Sequence, residues 1–356
     1  MNMIEHTKTI IESTDDISQL VGQNLMIHKS SVFPFADSDE FLAELLKHNH
    51  NNSKLISIGT STPELLIACD KAGIEVAETL GKTAFTNSIE EILNSISSGD
   101  IVYIQNPHKL SGANFSLSDL KSIVEKNKEG LNIIDEYYFD FFGISSIPLL
   151  TLCDNLVIIR SFAAPFGIYS SDAGFALASS KMIRHFKENF QLRKITNILR
   201  KTILATLTNN DILQERLKEI HEESLRITKA LTALGVQCRI TATDFLLLRV
   251  ASVKDVGNYL RSLKIEVDNL DGYPKMQKYI RFRIESKFSN DRFINAFEKM
   301  PQEFYKLKTA DLQKTTLRKS AEKNQLSLDD ILNEKIAERS TSKVNIEEKH
   351  LFKIMD

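Results

Sequence analysis

The sequence predicts an α/β protein, a large three-layer α/β/α domain with a mainly parallel sheet, followed by a smaller α+β unit. Three observations carry this. Short, near-continuous apolar runs alternate with helix-length amphipathic segments over the first half of the chain, the texture changes after residue 175, and 356 residues exceed the usual size of one compact core. Runs without polar alternation are what strands buried on both faces leave in a sequence.

Phe41, Leu42 and Leu45 lie at helical spacing in Asp39–Lys47, with Asp37 or Ser38 as cap. Ile101–Ile104, Leu131–Ile134 and Leu156–Ile159 read as buried strands, the second leading into Asp135-Glu136. A helix over 117–127, capped by Ser116 or Ser118, separates the first two. Beyond residue 175 a long helical stretch from about Ser180 to Leu234 ends at Gly235, a residue suited to a helix C-terminus. Phe245–Val250, a helix at 253–263, Ile265–Val267, Tyr279–Ile284 and a helix from Asn290 form the smaller unit. From about Lys308 charges mix with few large apolar residues, and only Leu326–Ala337 has the pattern of an amphipathic helix. The expected organisation is a shortened N-terminal segment at 1–29, a large domain at 30–205, a small domain at 206–307 and a charged tail at 308–356.

Hydrophobic residues make up 42% and charged residues 26% of the chain, and the net charge is −2. With no dominant basic stripe, nucleic acid is not an expected partner. Cys69, Cys153 and Cys238 are odd in number and far apart, which favours reduced structural thiols over a disulfide framework or zinc site. Neither a signal-peptide-length apolar block nor a membrane-length span is visible, so a cytoplasmic location without membrane association is expected. His48 and His50 have a spacing that can bind metal, but they stand on a polar turn and read as surface residues.

Several motifs follow one another in order: Asp37-Ser-Asp-Glu40, Asn106-Pro-His-Lys-Leu-Ser-Gly112, Asp135-Glu-Tyr-Tyr138, Arg160-Ser-Phe-Ala-Ala-Pro-Phe-Gly-Ile-Tyr-Ser-Ser-Asp-Ala-Gly-Phe175, and a segment from Arg281 to Phe293. Over residues 30–305 this series resembles the fold-type I, class I/II aminotransferases, especially the histidinol-phosphate aminotransferase branch. The resemblance implies that Asp135 holds the pyridine nitrogen of pyridoxal phosphate, the contact that makes the ring an electron sink. It also implies Asn106 and Tyr138 at the ring hydroxyl, Ser38 and Ser161 at the phosphate, and Arg281 with Asn197 at the substrate.

Other positions depart from the family. Ala164 stands where its lysine forms the Schiff base, Ala163 replaces the preceding serine, Asp172 the phosphate-binding arginine and Asp37 the turn glycine, while the ring-stacking aromatic falls near Thr62. A methyl group cannot form an imine, and a carboxylate repels a phosphate dianion. The resulting expectation is a degenerate family member with no cofactor, or with pyridoxal phosphate bound only weakly or non-covalently, serving as a binding, regulatory or partner subunit. Its partner is a second copy or an active paralogue, and its ligand a small carboxylate.

Two alternatives remain open. One is an enzyme with changed, cofactor-independent acid–base chemistry on a small amino acid or amino phosphate, with Asp135, Asp172 and Tyr138 as candidate catalytic groups. The other is an atypical pyridoxal-phosphate aminotransferase, for which Lys109 is the lysine to consider. Each retained residue also has a structural reading, Asp135 as a cap at a strand end and Asn106-Pro107 as a turn. No metal is expected, although Asp37, Asp135 and Asp172 together have the chemistry for a divalent cation.

Overall fold

The computed structural model describes residues 3–49, 54–86, 88–162, 164–166 and 172–308. Ala163, His50 and the 309–356 tail with its 326–337 segment lie outside these residues.

Seven strands form the large sheet: β1 Val32–Phe35, β2 Leu55–Ile58, β3 Val76–Thr79, β4 Ile101–Gln105, β5 Leu131–Asp135, β6 Leu156–Ser161 and β7 Gly174–Leu177. Their order is β1-β7-β6-β5-β4-β2-β3. The five from β3 to β6 are parallel, while β7 runs antiparallel to both β6 and β1. Alternate residues serve opposite faces. Ile56, Ile58, Val102, Ile104, Ile134, Leu156 and Ile158 join one apolar cluster, and Leu55, Ile101, Tyr103, Ile133, Val157 and Ile159 join the other. The first face packs beneath helices α1 (Met3–Leu25), α4 (Ile89–Ser95), α5 (Leu117–Lys126) and α8 (Asn197–Thr208). The second lies under α2 (Ser38–Asn49), α3 (Pro63–Ala72) and α7 (Ser180–Asn189).

Local chemistry places the helix ends. Ser116 caps α5 in a reciprocal arrangement with Asp119. The Asp37 carboxylate accepts from the Glu40 backbone N–H at 2.9 Å, so Asp37 caps α2 while Ser38 is its first helical residue. The expected single helical stretch at 180–234 is instead three helices: α7, α8 and α9 (Asn210–Ala233). After α9, Gly235 takes φ +89°, its N–H donates to Thr232 and that of Val236 to Leu231, closing the helix with a left-handed turn.

The smaller unit is a four-stranded antiparallel sheet, ordered β10 (Asp268–Asn269), β11 (Tyr279–Arg283), β9 (Phe245–Arg249), β8 (Gln237–Ile240). Ile265–Val267 is not a strand; the ladder starts at Asp268. A short α6 (Phe139–Phe142) follows β5, α10 (Val253–Ser262) follows β9, and the last long helix, α11 (Lys287–Lys299), starts before Asn290. A separate apolar cluster, with Phe85, Leu110 and Tyr138 from the large unit and Phe245, Leu247, Leu270 and Met276 from the small one, joins the two sheets. Among the described residues no helix is long and apolar enough to cross a membrane.

Candidate ligand cleft at the strand ends

Parallel strands deliver their carboxyl-terminal residues to one edge, where open α/β sheets bind ligands. Here β4 and β5 end in Gln105 and Asp135. A cleft of about 290 Å³ opens above them, lined among others by Ser38, Thr62, Lys109, Tyr138, Asp172 and Arg281.

Asp135 forms its floor. One carboxylate oxygen accepts from the Tyr103 hydroxyl and from the Lys109 ammonium, both at 2.7 Å, and the other accepts from the Tyr137 N–H at 3.0 Å. The Lys109 ammonium also lies 4.6 Å from the Tyr137 ring centroid. Burial alone pushes Lys109 down, but the Asp135 charge and hydrogen bond outweigh it and hold the ammonium above its usual value. Tyr103 is pushed well up, first by burial and then by the same carboxylate.

Asn106 is fully buried and turned into the loop: its side-chain oxygen accepts from Phe115 N–H at 2.8 Å, and its own N–H donates to the Asp135 carbonyl. His108 lies beneath the same loop, with Nε2 2.9 Å from the Thr60 carbonyl and Nδ1 accepting from Leu110 and Ser111 N–H groups. That pattern fits the neutral imidazole, and burial pushes His108 down to about 4. Gly59, at φ +96°, passes so close that a Cβ there would meet the His108 ring at 2.9 Å.

Arg281 comes from β11. Its Nε donates to Asp268 at 2.7 Å and one terminal nitrogen to the Lys109 carbonyl at 2.5 Å, tying the small sheet to the floor loop. Arg283 lies two residues on, on the same strand face, 3.8 Å from Asp244, and also lines the cleft. Asp39, Glu64 and Asp172 add acidic groups. Reduced solvation pushes the Asp39 carboxyl up; Lys109 opposes this, while Glu64, Asp37 and Asp172 reinforce it.

Of the residues singled out from sequence, the cleft lining unites Ser38, Tyr138, Asp172 and Arg281, with Asp135 beneath Lys109. Tyr138 is buried and its hydroxyl is held well above its usual value, first by burial and then by Asp244. Ser161 lies at the end of β6, where its hydroxyl accepts from the Ala164 N–H at 3.1 Å, and Ala164 is fully buried. Asn197 is exposed at the start of α8, outside the lining. Asp37 pairs with Arg193, which also bonds Glu40, instead of lining the cleft. Among the described residues no group of three or more histidine, cysteine or acidic side chains is arranged to hold a metal.

Sequence reasoning did not reach Arg283, Asp39 or Glu64. The Arg281-x-Arg283 alternation was the available signal, since a strand puts both on one face. Glu64 has no such local mark.

Sheet order, strand-end cleft and joined smaller sheet define an α/β protein of the fold-type I transferase architecture. Residues 16–278 match aminotransferase class I and II, and the chain belongs to that family. It is 22% identical over 328 residues to histidinol-phosphate aminotransferase of Caldanaerobacter subterraneus subsp. tengcongensis, covering 83% of this chain and 92% of that protein. The histidinol-phosphate aminotransferase of Clostridium acetobutylicum superposes with a TM-score of 0.71 at 18% identity, covering 81% of this chain and 88% of that one. That of Sinorhizobium meliloti, solved in complex with pyridoxal-5′-phosphate, superposes with a TM-score of 0.70 at 16% identity over 80% of each chain.

These findings correct the expectation that no cofactor, or only weakly or non-covalently bound pyridoxal phosphate, belongs to this chain. The matched family is one of aminotransferases, and the Sinorhizobium meliloti relative carries pyridoxal phosphate. The fit of this chain's residues to that group is divided. Asp135 and Ser161 end β5 and β6, Tyr138 follows β5 and Ser38 opens α2, whereas position 164 offers a buried methyl group and Asp172 a carboxylate. Lys109 is the lysine that lines the cleft among the described residues.

Proposed function

We propose that this aminotransferase-family chain is a ligand-binding member, a regulatory or partner subunit, in which transamination through a lysine at the end of β6 has been lost. The observation that supports this reading is Ala164: its N–H is bonded to Ser161, its side chain is fully enclosed, and it has no nitrogen to form an imine. Asp172 on the cleft wall adds a second departure. Pairing with a second copy or an active paralogue belongs to the same proposal. The small ligand is accommodated between the strand ends and Arg281.

Pyridoxal phosphate, the group carried by the Sinorhizobium meliloti relative, is the ligand to test first, and any imine within this cleft has to involve Lys109 or an amine from outside. The purified protein is mixed with excess pyridoxal phosphate, followed by visible absorbance, then reduced with borohydride and mapped by mass spectrometry. Cofactor binding without turnover of an amino acid supports the proposal. A single reduced adduct at Lys109, with turnover of an amino acid, overturns it and restores an atypical aminotransferase.

A further inference from the structure

We propose that Phe85 is a positioning residue of the cleft: together with Lys275 it clasps the smaller unit to the large one and holds the cleft at one width before any ligand arrives. This goes beyond the proposed function and stands without it, because it concerns the joint between the units and not what binds beside it.

The clasp begins as a knob on the large unit. After β3 the chain turns at Thr83, whose N–H donates to the Thr86 hydroxyl at 3.1 Å and whose own hydroxyl accepts from Phe85 N–H at 3.1 Å. Phe85, 4% exposed, packs from that turn into the cluster shared with the smaller unit. There its ring meets Tyr279 edge-on at 5.4 Å, and the Arg239 guanidinium lies 4.3 Å from its centroid. Tyr279, Arg281 and Arg283 share one face of β11, so Phe85 registers the strand face that carries both arginines to the cleft.

The loop between β10 and β11 closes the socket. The Lys275 ammonium donates to the Gly81 carbonyl, close to the knob in sequence, and Met276, 1% exposed, enters the same apolar cluster as Phe85. Lys275 and Lys278 take left-handed φ of +60° and +68°, which residues with side chains adopt where their surroundings hold them. Lys278 N–H donates to Asp271 at 2.7 Å and Leu270 N–H to the Tyr279 carbonyl at 3.1 Å, so the loop is braced from within. Tyr273, in the same loop, is thereby fixed in the cleft lining. Beside the clasp the two units leave a cavity of about 20 Å³, room for one water, so a shift between them has to unpack the joint.

The test is the distance distribution between two spin labels on the full chain without ligand, placed by Lys121→Cys on α5 and Lys254→Cys on α10. Cys153→Ala and Cys238→Ala remove competing thiols, and Cys69 is buried. The chain with an intact joint is expected to give one narrow distance. Phe85→Leu keeps an apolar side chain but removes the ring, and is expected to widen the distribution about two-fold. Lys275→Asn, which suits the left-handed backbone but removes the latch, is expected to widen it less. Ser179→Ala removes the cap of α7, away from the joint, and is expected to leave the width unchanged, which separates positioning from loss of stability. A broad or two-peaked distribution with the joint intact, an unchanged width in Phe85→Leu, or equal widening by Ser179→Ala overturns the proposal. Should Phe85→Leu lose its cooperative melt, Lys275→Asn decides, and an unchanged width there overturns it.

Discussion

The two sides of the cleft are built differently. The floor, from the ends of β4, β5 and β6, is a closed set of internal bonds: Asn106 to the Phe115 backbone, Asp135 to Tyr103 and Lys109, Glu136 to Arg160. The rim, from β11 and the starts of α2 and α3, offers side chains that stay partly in water; Arg283 is 43% exposed and Asp268, the partner of Arg281, 56%. Buried, fully satisfied polar groups fix a geometry, whereas partly exposed charges can exchange partners at little cost. Substitutions in the floor should therefore register as stability, and substitutions at the rim as binding.

The largest expected effect lies behind the floor. Arg160 Nε donates to Glu136 at 2.9 Å, its terminal nitrogen to Ser145 at 2.6 Å, and its guanidinium lies 3.4 Å from the Phe139 ring centroid. Arg160→Met leaves a fully buried Glu136 carboxylate without its counter-charge and should cost about 3–5 kcal/mol in denaturant unfolding. An unchanged midpoint would erase the distinction between floor and rim.

His108 gives the next effect, dependent on pH. Its folded-state value of about 4 lies below the ordinary 6.5, so between these the unfolded chain binds the extra proton. Its contribution is fully present above pH 6.5 and is lost as pH falls toward 4, on the order of 3 kcal/mol in all. Unfolding curves from pH 7.5 to 4 should show this slope, and His108→Gln should flatten it. Smaller again, Ser116→Ala removes the α5 cap and should lower stability by about 1 kcal/mol, read as a lower melting temperature.

Much of the floor was legible in the sequence because central parallel strands are buried on both faces: Ile101–Ile104, Leu131–Ile134 and Leu156–Ile159 needed no partner to be recognised. The edges were harder to read. In β1 the run Val-Phe-Pro-Phe carries a proline, and in β3 Val-Ala-Glu-Thr is only half-buried, so neither shows a clean period. The breaks between α7, α8 and α9 carry no glycine or proline; tertiary packing, with Asn24 on α1 bonded to the Leu207 carbonyl of α8, decides where those helices lie.

The candidate site divides similarly. Asp135, Tyr138 and Arg281 were legible from motifs. The turning away of Asp37 depends on Arg193, 156 residues later, and the Lys109–Asp135 pair depends on a loop shaped by Asn106 and Phe115. Neither distance is expressed in local sequence.

The bond from Arg281 to the Lys109 carbonyl spans 172 residues of chain. During synthesis at about 5–20 residues per second, the floor loop emerges roughly 9–34 s before its wall. A large sheet that folds as it emerges has an unfinished cleft, held only by its own Asp135–Lys109–Tyr103 contacts. For a nascent chain, the internal ion pair is a placeholder that keeps two buried charges neutralised until the second sheet arrives.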